Sequence, residues 1–337
     1  MHCVCLGVMR KLLNTWLGPD KAVKLNGKKI IDISNYLTST SSCIPLEINR
    51  KPRSLSDLPR WKATEFRTFL LYVGPVALHR VINSAIYEHF LLLHSSITIL
   101  ISEKFISKFM NLARTFINTF VKHSEHIYGE QFIIYNVHML CHLCDDVTLY
   151  GVLDSFSAFC FENYLGQLKR LIKKPSKPLQ QLCRRLGELH QNADSFITSA
   201  AQTSLFLAHV MGPLIPKYNF IQVSQFKKVI YDDLTLIIHS YSVANSYCLV
   251  EDNEKIKVVE VQNILSSSVG VEIIGKQFHK FKSFYSYPFD SQNLHIYRVF
   301  SFSTELYSWP LQNVIAKCIA LPYLNNEKVI FPLLHTV

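Results

Sequence analysis

Two stretches of the chain carry residue types that can do chemistry. The first runs from Ser157 to Arg185. Placed on a helix at 100° per residue, Phe161, Leu165, Leu168 and Ile172 form one apolar stripe, while Glu162, Gly166, Lys169 and Lys173 share a neighbouring face. A carboxylate, a gap without a side chain and two ammonium groups thus line up over three turns. Lys169, Arg170, Lys173, Lys174, Lys177, Arg184 and Arg185 follow one another with no acid among them. Such a surface suits a phosphate backbone, because each neutralised phosphate releases counterions. The same pattern also fits a solvated helix on which Glu162 pairs with nearby lysines.

The second stretch is Tyr135 to Asp146, where one helical face collects His138, Cys141, His142 and Asp145, with Cys144 to the side. Imidazoles four residues apart can grip one metal ion, as in the zinc-protease signature. That signature also needs a Glu after the first His, and Met139 stands there. Cys141 and Cys144 make a C-x-x-C, but no second pair completes a tetrahedral site. His138 and His142 are therefore candidates for either a metal or a structural role, with buried, hydrogen-bonded side chains the plainer alternative. Phosphate-loop, dinucleotide-binding and nucleophile-elbow motifs do not occur.

The elements that must position these residues are helical at first. Residues 1–17 carry an apolar stripe and stop at Gly18–Pro19. Residues 20–60 are polar and irregular, with room for one short helix. A periodic segment from Trp61 is expected to break at Gly74–Pro75 and resume from Ala77 to Leu93. Glu103–Tyr128, Phe132–Thr148, Ser157–Lys174 and Pro178–Asn192 are expected as helices. Beyond Lys217 the period changes to two. Strands are expected at Ile256–Val261, Val269–Ile274, Leu294–Phe300, Val314–Leu321 and Lys328–Phe331. The fold class is α+β: a helical part over 1–217, then an antiparallel β module over 218–337, of small barrel or sandwich type. The breaker-rich stretch 205–225 is the expected boundary.

Charge divides in the same place. The 337-residue chain has a net charge of +10. Residues 1–217 hold 25 Lys/Arg against 15 Asp/Glu, and residues 218–337 hold 10 against 10. The excess points the helical part at a polyanion, with DNA the expected partner and binding weak and non-specific; ordinary surface solubility is the plainer alternative. The balanced β module is expected to bind DNA negligibly. No apolar run reaches the roughly 18 residues of a membrane span, and Met1 is not followed by a secretory leader. The nine cysteines fall at irregular spacing. A nuclear or cytoplasmic protein with reduced thiols, not a secreted one, is expected.

Several strings resemble a known family. Met1-His2-Cys3-Val4-Cys5-Leu6-Gly7-Val8, continuing through Leu12, Leu13 and Trp16, resembles a segment of CACTA-type (En/Spm-like) DDE transposases, in particular their animal transposon-derived branch. Trp61 to Arg67 with Leu70-Leu71-Tyr72, Asn136-Val137-His138 with His142, and Phe161 to Lys169 are similar to the same branch. The resemblance implies an RNase H-like catalytic core, in which two aspartates and a later glutamate hold two divalent ions. Glu162 matches the place of the third acid. The positions implied for both aspartates precede Met1, so the helical part corresponds to the family's insertion and its last catalytic helix, with most of the central sheet missing.

The expectation is a truncated transposase-derived protein, catalytically inactive, in which Glu162 is vestigial and residual DNA binding rests on Lys169 to Arg185. No cofactor is expected of this chain, although an intact enzyme of the family would use Mg²⁺ or Mn²⁺. The alternatives are the C-terminal part of an active metal-dependent transposase, and a protein-interaction module. Association with an intact transposase, the DNA sequence recognised and the ligand of the β module are not legible from the sequence.

Overall fold

A computed structural model of the chain describes residues 2–193, 203–218, 222–232 and 234–334. Its N-terminal half is helical and its C-terminal part is an antiparallel sheet. The first helix is wound as a wide π turn over Cys3–Met9 and continues as α1 (Arg10–Leu17). Its stripe of Val4, Val8, Leu12 and Trp16 is buried. Residues 20–60 contain a longer helix than their polarity suggests, α2 (Gly27–Ser39). Asn26 starts it by accepting the Lys29 backbone N–H at 2.9 Å, and only a narrow side carrying Ile33 and Leu37 is buried.

Gly74–Pro75 does not end its helix. The chain stays helical through α3 (Ala63–Thr68), a π turn at Phe69–Val73 and α4 (Gly74–Leu78). The wide turn accommodates the missing N–H and the ring of Pro75. Gly74 permits it, since a Cβ there would lie 2.5 Å from the Phe69 carbonyl oxygen. α5 (Ser84–Leu100) is buried on every side from His89 onward. Several of its polar groups are turned onto backbone: His94 Nδ1 donates to the Leu70 carbonyl at 2.8 Å and Thr98 to the His94 carbonyl at 2.7 Å. α6 (Glu103–Tyr128) packs along it and ends at Gly129, whose φ of 85° lets the chain turn away. Among the described residues no helix is long and apolar enough to cross a membrane.

The stretch expected as one helix over Phe132–Thr148 is divided. A 3₁₀ turn at Glu130–Phe132 leads to α7 (Tyr135–His138), a second 3₁₀ turn at Met139–His142 and α8 (Leu143–Tyr150). Val137, Leu140 and Leu143 are buried at a spacing of three, the period that a 3₁₀ turn stacks on one side. Then come α9 (Ala158–Leu171) and α10 (Pro178–Ala193).

Among the described residues ten antiparallel strands follow: β1 (Ser204–His209), β2 (Ser224–Tyr231), β3 (Leu234–Ile237), β4 (Tyr247–Asp252), β5 (Lys255–Ser267), β6 (Gly270–Ser283), β7 (Tyr297–Phe302), β8 (Tyr307–Pro310), β9 (Val314–Pro322) and β10 (Lys328–Pro332). Pairings run β5–β4–β9–β10–β7–β6 and return from β6 to β5, a closed circuit. β2 extends β5, β1 and β3 lie on β2, and β8 lies on β6. Tyr247, Val258, Phe278, Val299, Cys318 and Ile330, one from each strand of the circuit, share a cluster. β4 gives no alternation in sequence because Tyr247, Cys248, Leu249 and Val250 are buried on both faces.

The helices and the sheet share a core. Ile319 and Leu321 on β9, with Val329 and Phe331 on β10, join the cluster built around Trp16, Phe69 and Phe90. Phe331 stands edge-on to Tyr72, with ring centroids 6.3 Å apart. A buried ion pair fastens the same interface: Lys317 Nζ lies 2.8 Å from a Glu47 oxygen and donates to Asn245 Oδ1 at 2.6 Å.

Candidate nucleic-acid interface

The hairpin of α9 and α10 carries the seven basic residues singled out above. Its root is firm. Asp154 accepts two hydrogen bonds from Arg67, at 2.8 and 2.6 Å, in a largely buried pair. Three residues on, the Ser157 hydroxyl accepts the Phe159 N–H at 3.4 Å and starts α9. The turn between the helices is also held. Gln181 Oε1 accepts from the backbone of Lys173 and Lys174 at 3.1 and 3.2 Å, and its Nε2 donates to the carbonyls of Lys174 and Ser176. Pro178 opens α10 without needing an N–H partner.

On this frame Lys169, Arg170, Lys173, Lys174, Lys177, Arg184 and Arg185 are all exposed. Arg184 and Arg185 both bond Glu188, at 3.0 and 2.7 Å, and hold its carboxyl below the usual range. Among the described residues the other five cations have no carboxylate partner within 4.0 Å. The first part of the apolar stripe is not covered: Phe161 is 65% exposed and Leu165 56%, and Tyr164 beside them is 51% exposed, while Leu168 and Ile172 are half-buried.

Glu162 does not pair with the lysines of its own helix. Its Oε1 lies 3.2 Å from His2 Nε2, and the His2 ring packs on Phe159 at 4.7 Å between centroids. The start of the chain is thereby tied to α9. Two divalent ions need several carboxylates in near-octahedral arrangement. The described residues contain no group of three His, Cys, Asp or Glu side chains that could hold a metal ion. The residues around Glu162 therefore do not fit a two-ion centre. His138 and His142 lie together, with rings 5.3 Å apart in a T-shape. Asp145, expected on their face, is engaged elsewhere, bonded to Arg114 at 2.7 Å. Arg114 also holds the Asp145 carboxyl below its usual range.

A groove of about 560 Å³ opens along the first helix, lined by Arg10, Lys11, Asn14, Thr15, Gln131 and Phe132 among others. The Lys11 ammonium stands 5.1 Å above the Phe132 ring. Composition pointed at the later basic run and passed over Arg10-Lys11, which are only two charges; the signal was their place on the polar side of an otherwise apolar helix.

Residues 208–333 match a family model. Its description is Domain of unknown function (DUF8592). The match begins within β1 and ends just past β10, so it covers the sheet and none of the helical half. No curated protein and no solved structure matches the chain.

Proposed function

We propose that the chain is a transposase-derived protein of the CACTA (En/Spm-like) kind that binds DNA through sequence-independent phosphate contacts and is catalytically inactive by itself. One observation carries the DNA reading. Seven cations stand exposed on a single helical hairpin whose turn is pinned by Gln181, and no acid lies among them in sequence until Glu188. Double-stranded DNA presents one charge per about 1.7 Å of axis, a density that a pinned row of lysines meets without reading base edges. Arg10 and Lys11 line a groove on the helix whose start touches Glu162 through His2.

On this reading α9 is the helix of the third acid in an RNase H-like core. Phe161, Tyr164 and Leu165 mark the side that such a core covers with its sheet. The closed circuit of six strands is a small antiparallel barrel. Among the described residues no second and third carboxylate stand beside Glu162 to seat two ions with it. DNA as the ligand goes with a nuclear location.

A second reading, the C-terminal part of an active metal-dependent transposase, is favoured by the same uncovered face of α9. Incubation of the purified chain with supercoiled plasmid and Mg²⁺ or Mn²⁺ separates the two. No nicking above background is expected. Metal-dependent nicking that disappears in Glu162→Gln would overturn the inactive reading. In the binding arm, unrelated duplexes of ~20 base pairs should bind within about threefold of one another, because phosphate contacts carry no sequence information. A preference for one duplex of about a hundredfold would contradict phosphate-only binding.

A further inference from the structure

The balanced charge of the last 120 residues conceals a local separation. Acids gather on the β4–β5 turn, at Glu251, Asp252 and Glu254. Between Glu272 and Asp290 the chain has Lys276, His279, Lys280 and Lys282 and no acid, and the strand paired with this segment adds Arg298 and none. Register brings these residues together: Lys280 stands opposite Phe300 and Lys282 opposite Arg298. Lys280 and Lys282 are exposed.

Three of these cations stand beside aromatic rings. The Lys282 ammonium lies 5.6 Å from the centre of Phe300, Lys276 lies 5.7 Å from that of Phe302, and the Arg298 guanidinium 5.1 Å from that of Tyr323. Phe302 is 39% exposed and Phe300 and Tyr323 are half-buried, so the rings have accessible surface. Two acids lie near: Glu327, bonded to Arg298 at 2.9 Å with Lys282 and Arg80 also around it, and Asp290, which accepts from the Ser283 hydroxyl beside Lys282. Lys280, Lys282, Arg298 and Arg80 outnumber them. Successive outward residues of a strand are about 6.8 Å apart, roughly one backbone unit of an extended nucleic-acid strand.

We infer that the outer face of β6 and β7 binds single-stranded nucleic acid, with Lys280 and Lys282 on phosphates and Phe300 stacking a base. Cations tracking a backbone and rings offering sequence-tolerant platforms are the two parts of such sites. A rigid duplex keeps its bases stacked inside and cannot use the rings. Lys282 has a flexible stem, so it can leave Phe300 for a phosphate when a base takes its place. Phosphate contacts and base stacking do not depend on a 2′-hydroxyl, so DNA and RNA strands are equivalent ligands. This surface shares no residue with the α9–α10 hairpin, and the inference does not depend on the hairpin binding duplex.

The test uses the full chain carrying Lys169→Ala, Lys173→Ala, Lys174→Ala and Lys177→Ala, so that hairpin contacts are removed from the reading. Probes are labelled oligo(dT) and oligo(rU) of about 15 nucleotides, a duplex of the same length, inorganic polyphosphate and an acidic peptide. Lys280→Glu with Lys282→Glu should weaken oligo(dT) at least about tenfold with an unchanged melting temperature. Phe300→Leu keeps apolar volume and should weaken oligo(dT) about fivefold or more, the low end for loss of one stacked base, while leaving polyphosphate unaffected. Oligo(dT) and oligo(rU) should bind within about threefold of each other. Unchanged oligo(dT) affinity in the charge-reversed protein would overturn the inference. So would equal losses of oligo(dT) and polyphosphate in Phe300→Leu, or tighter binding of the acidic peptide. Failure of the hairpin reading would register elsewhere, as duplex binding that the four alanines do not change.

Discussion

Replacing Glu47 with Gln should loosen the whole molecule, because the helical half and the sheet share one core. Lys317 and Glu47 side chains are 3% and 8% exposed and meet at 2.8 Å. The substitution would leave the Lys317 ammonium buried with only the Asn245 amide oxygen and a second neutral amide as partners. Breaking a buried pair from one side costs about 3–5 kcal/mol. With an unfolding entropy of about 2.1 cal/mol/K per residue, a 337-residue cooperative unit loses about 0.7 kcal/mol per degree, so the melting temperature should fall by about 4–7 °C. Burial already lowers the Lys317 pKa, and Glu47 opposes that. A lysine whose folded pKa lies below its unfolded value binds fewer protons when folded, so stability rises with pH between the two values. Losing Glu47 lowers the folded value further, and the rise should begin at lower pH in Glu47→Gln than in the parent. The paired replacement Glu47→Leu with Lys317→Met should recover most of the loss, since no buried charge remains. Scanning calorimetry over several pH values decides the matter. A melting temperature unchanged by Glu47→Gln, or a double variant no better than the single one, would refute the interface.

Three further outcomes follow from the packing. Burial pushes His89 and His94 down to about 4, so the unfolded chain takes up protons first as pH falls from 6.5; stability should drop by up to about 3 kcal/mol per histidine between pH 6.5 and 4, and denaturant melts of His89→Gln with His94→Gln that keep the same acid sensitivity would count against this. Gly74→Ala should cost about 1–3 kcal/mol, because its Cβ would meet the Phe69 carbonyl, which is backbone and cannot swing aside; a neutral thermal melt would show that the π turn relaxes freely. A fragment beginning at Ser204 should aggregate, since it would expose Ile319, Leu321, Val329 and Phe331; a monomeric fragment with a cooperative melt would instead support the independent β module that charge and period suggest.

Long, strongly patterned elements were legible in the sequence. α6 was read with its ends, because Gly129 follows a long amphipathic run, and the starts of α9 and α10 were read at Ser157 and Pro178, although α9 stops at Leu171, short of the expected Lys174. The misreadings have physical causes. Gly74–Pro75 reads as a stop, but a π turn absorbs the proline. Phe132 to Thr148 has helical composition, yet its buried residues recur at three. β4 and β2 lack clean alternation, the first because both faces are buried. The shared core is invisible to any local pattern, since it joins Tyr72 to Phe331 across most of the chain. At the candidate interface the basic run of the hairpin was plain. The strip on β6 and β7 was not, because net charge averages it with the acids of the β4–β5 turn. The engagement of Glu162 by His2 rather than by lysine has no signature in spacing.

The central claim is that the hairpin lysines bind DNA through its phosphates. The most direct measurement is the salt dependence of duplex affinity for the full chain, compared with the protein carrying Lys169→Ala, Lys173→Ala, Lys174→Ala and Lys177→Ala. Each lost phosphate contact removes about 0.9 from the slope of log affinity against log salt. Weaker binding and a slope shallower by up to about 4 are expected. Equal slopes for the two proteins, at any affinity, would contradict that claim.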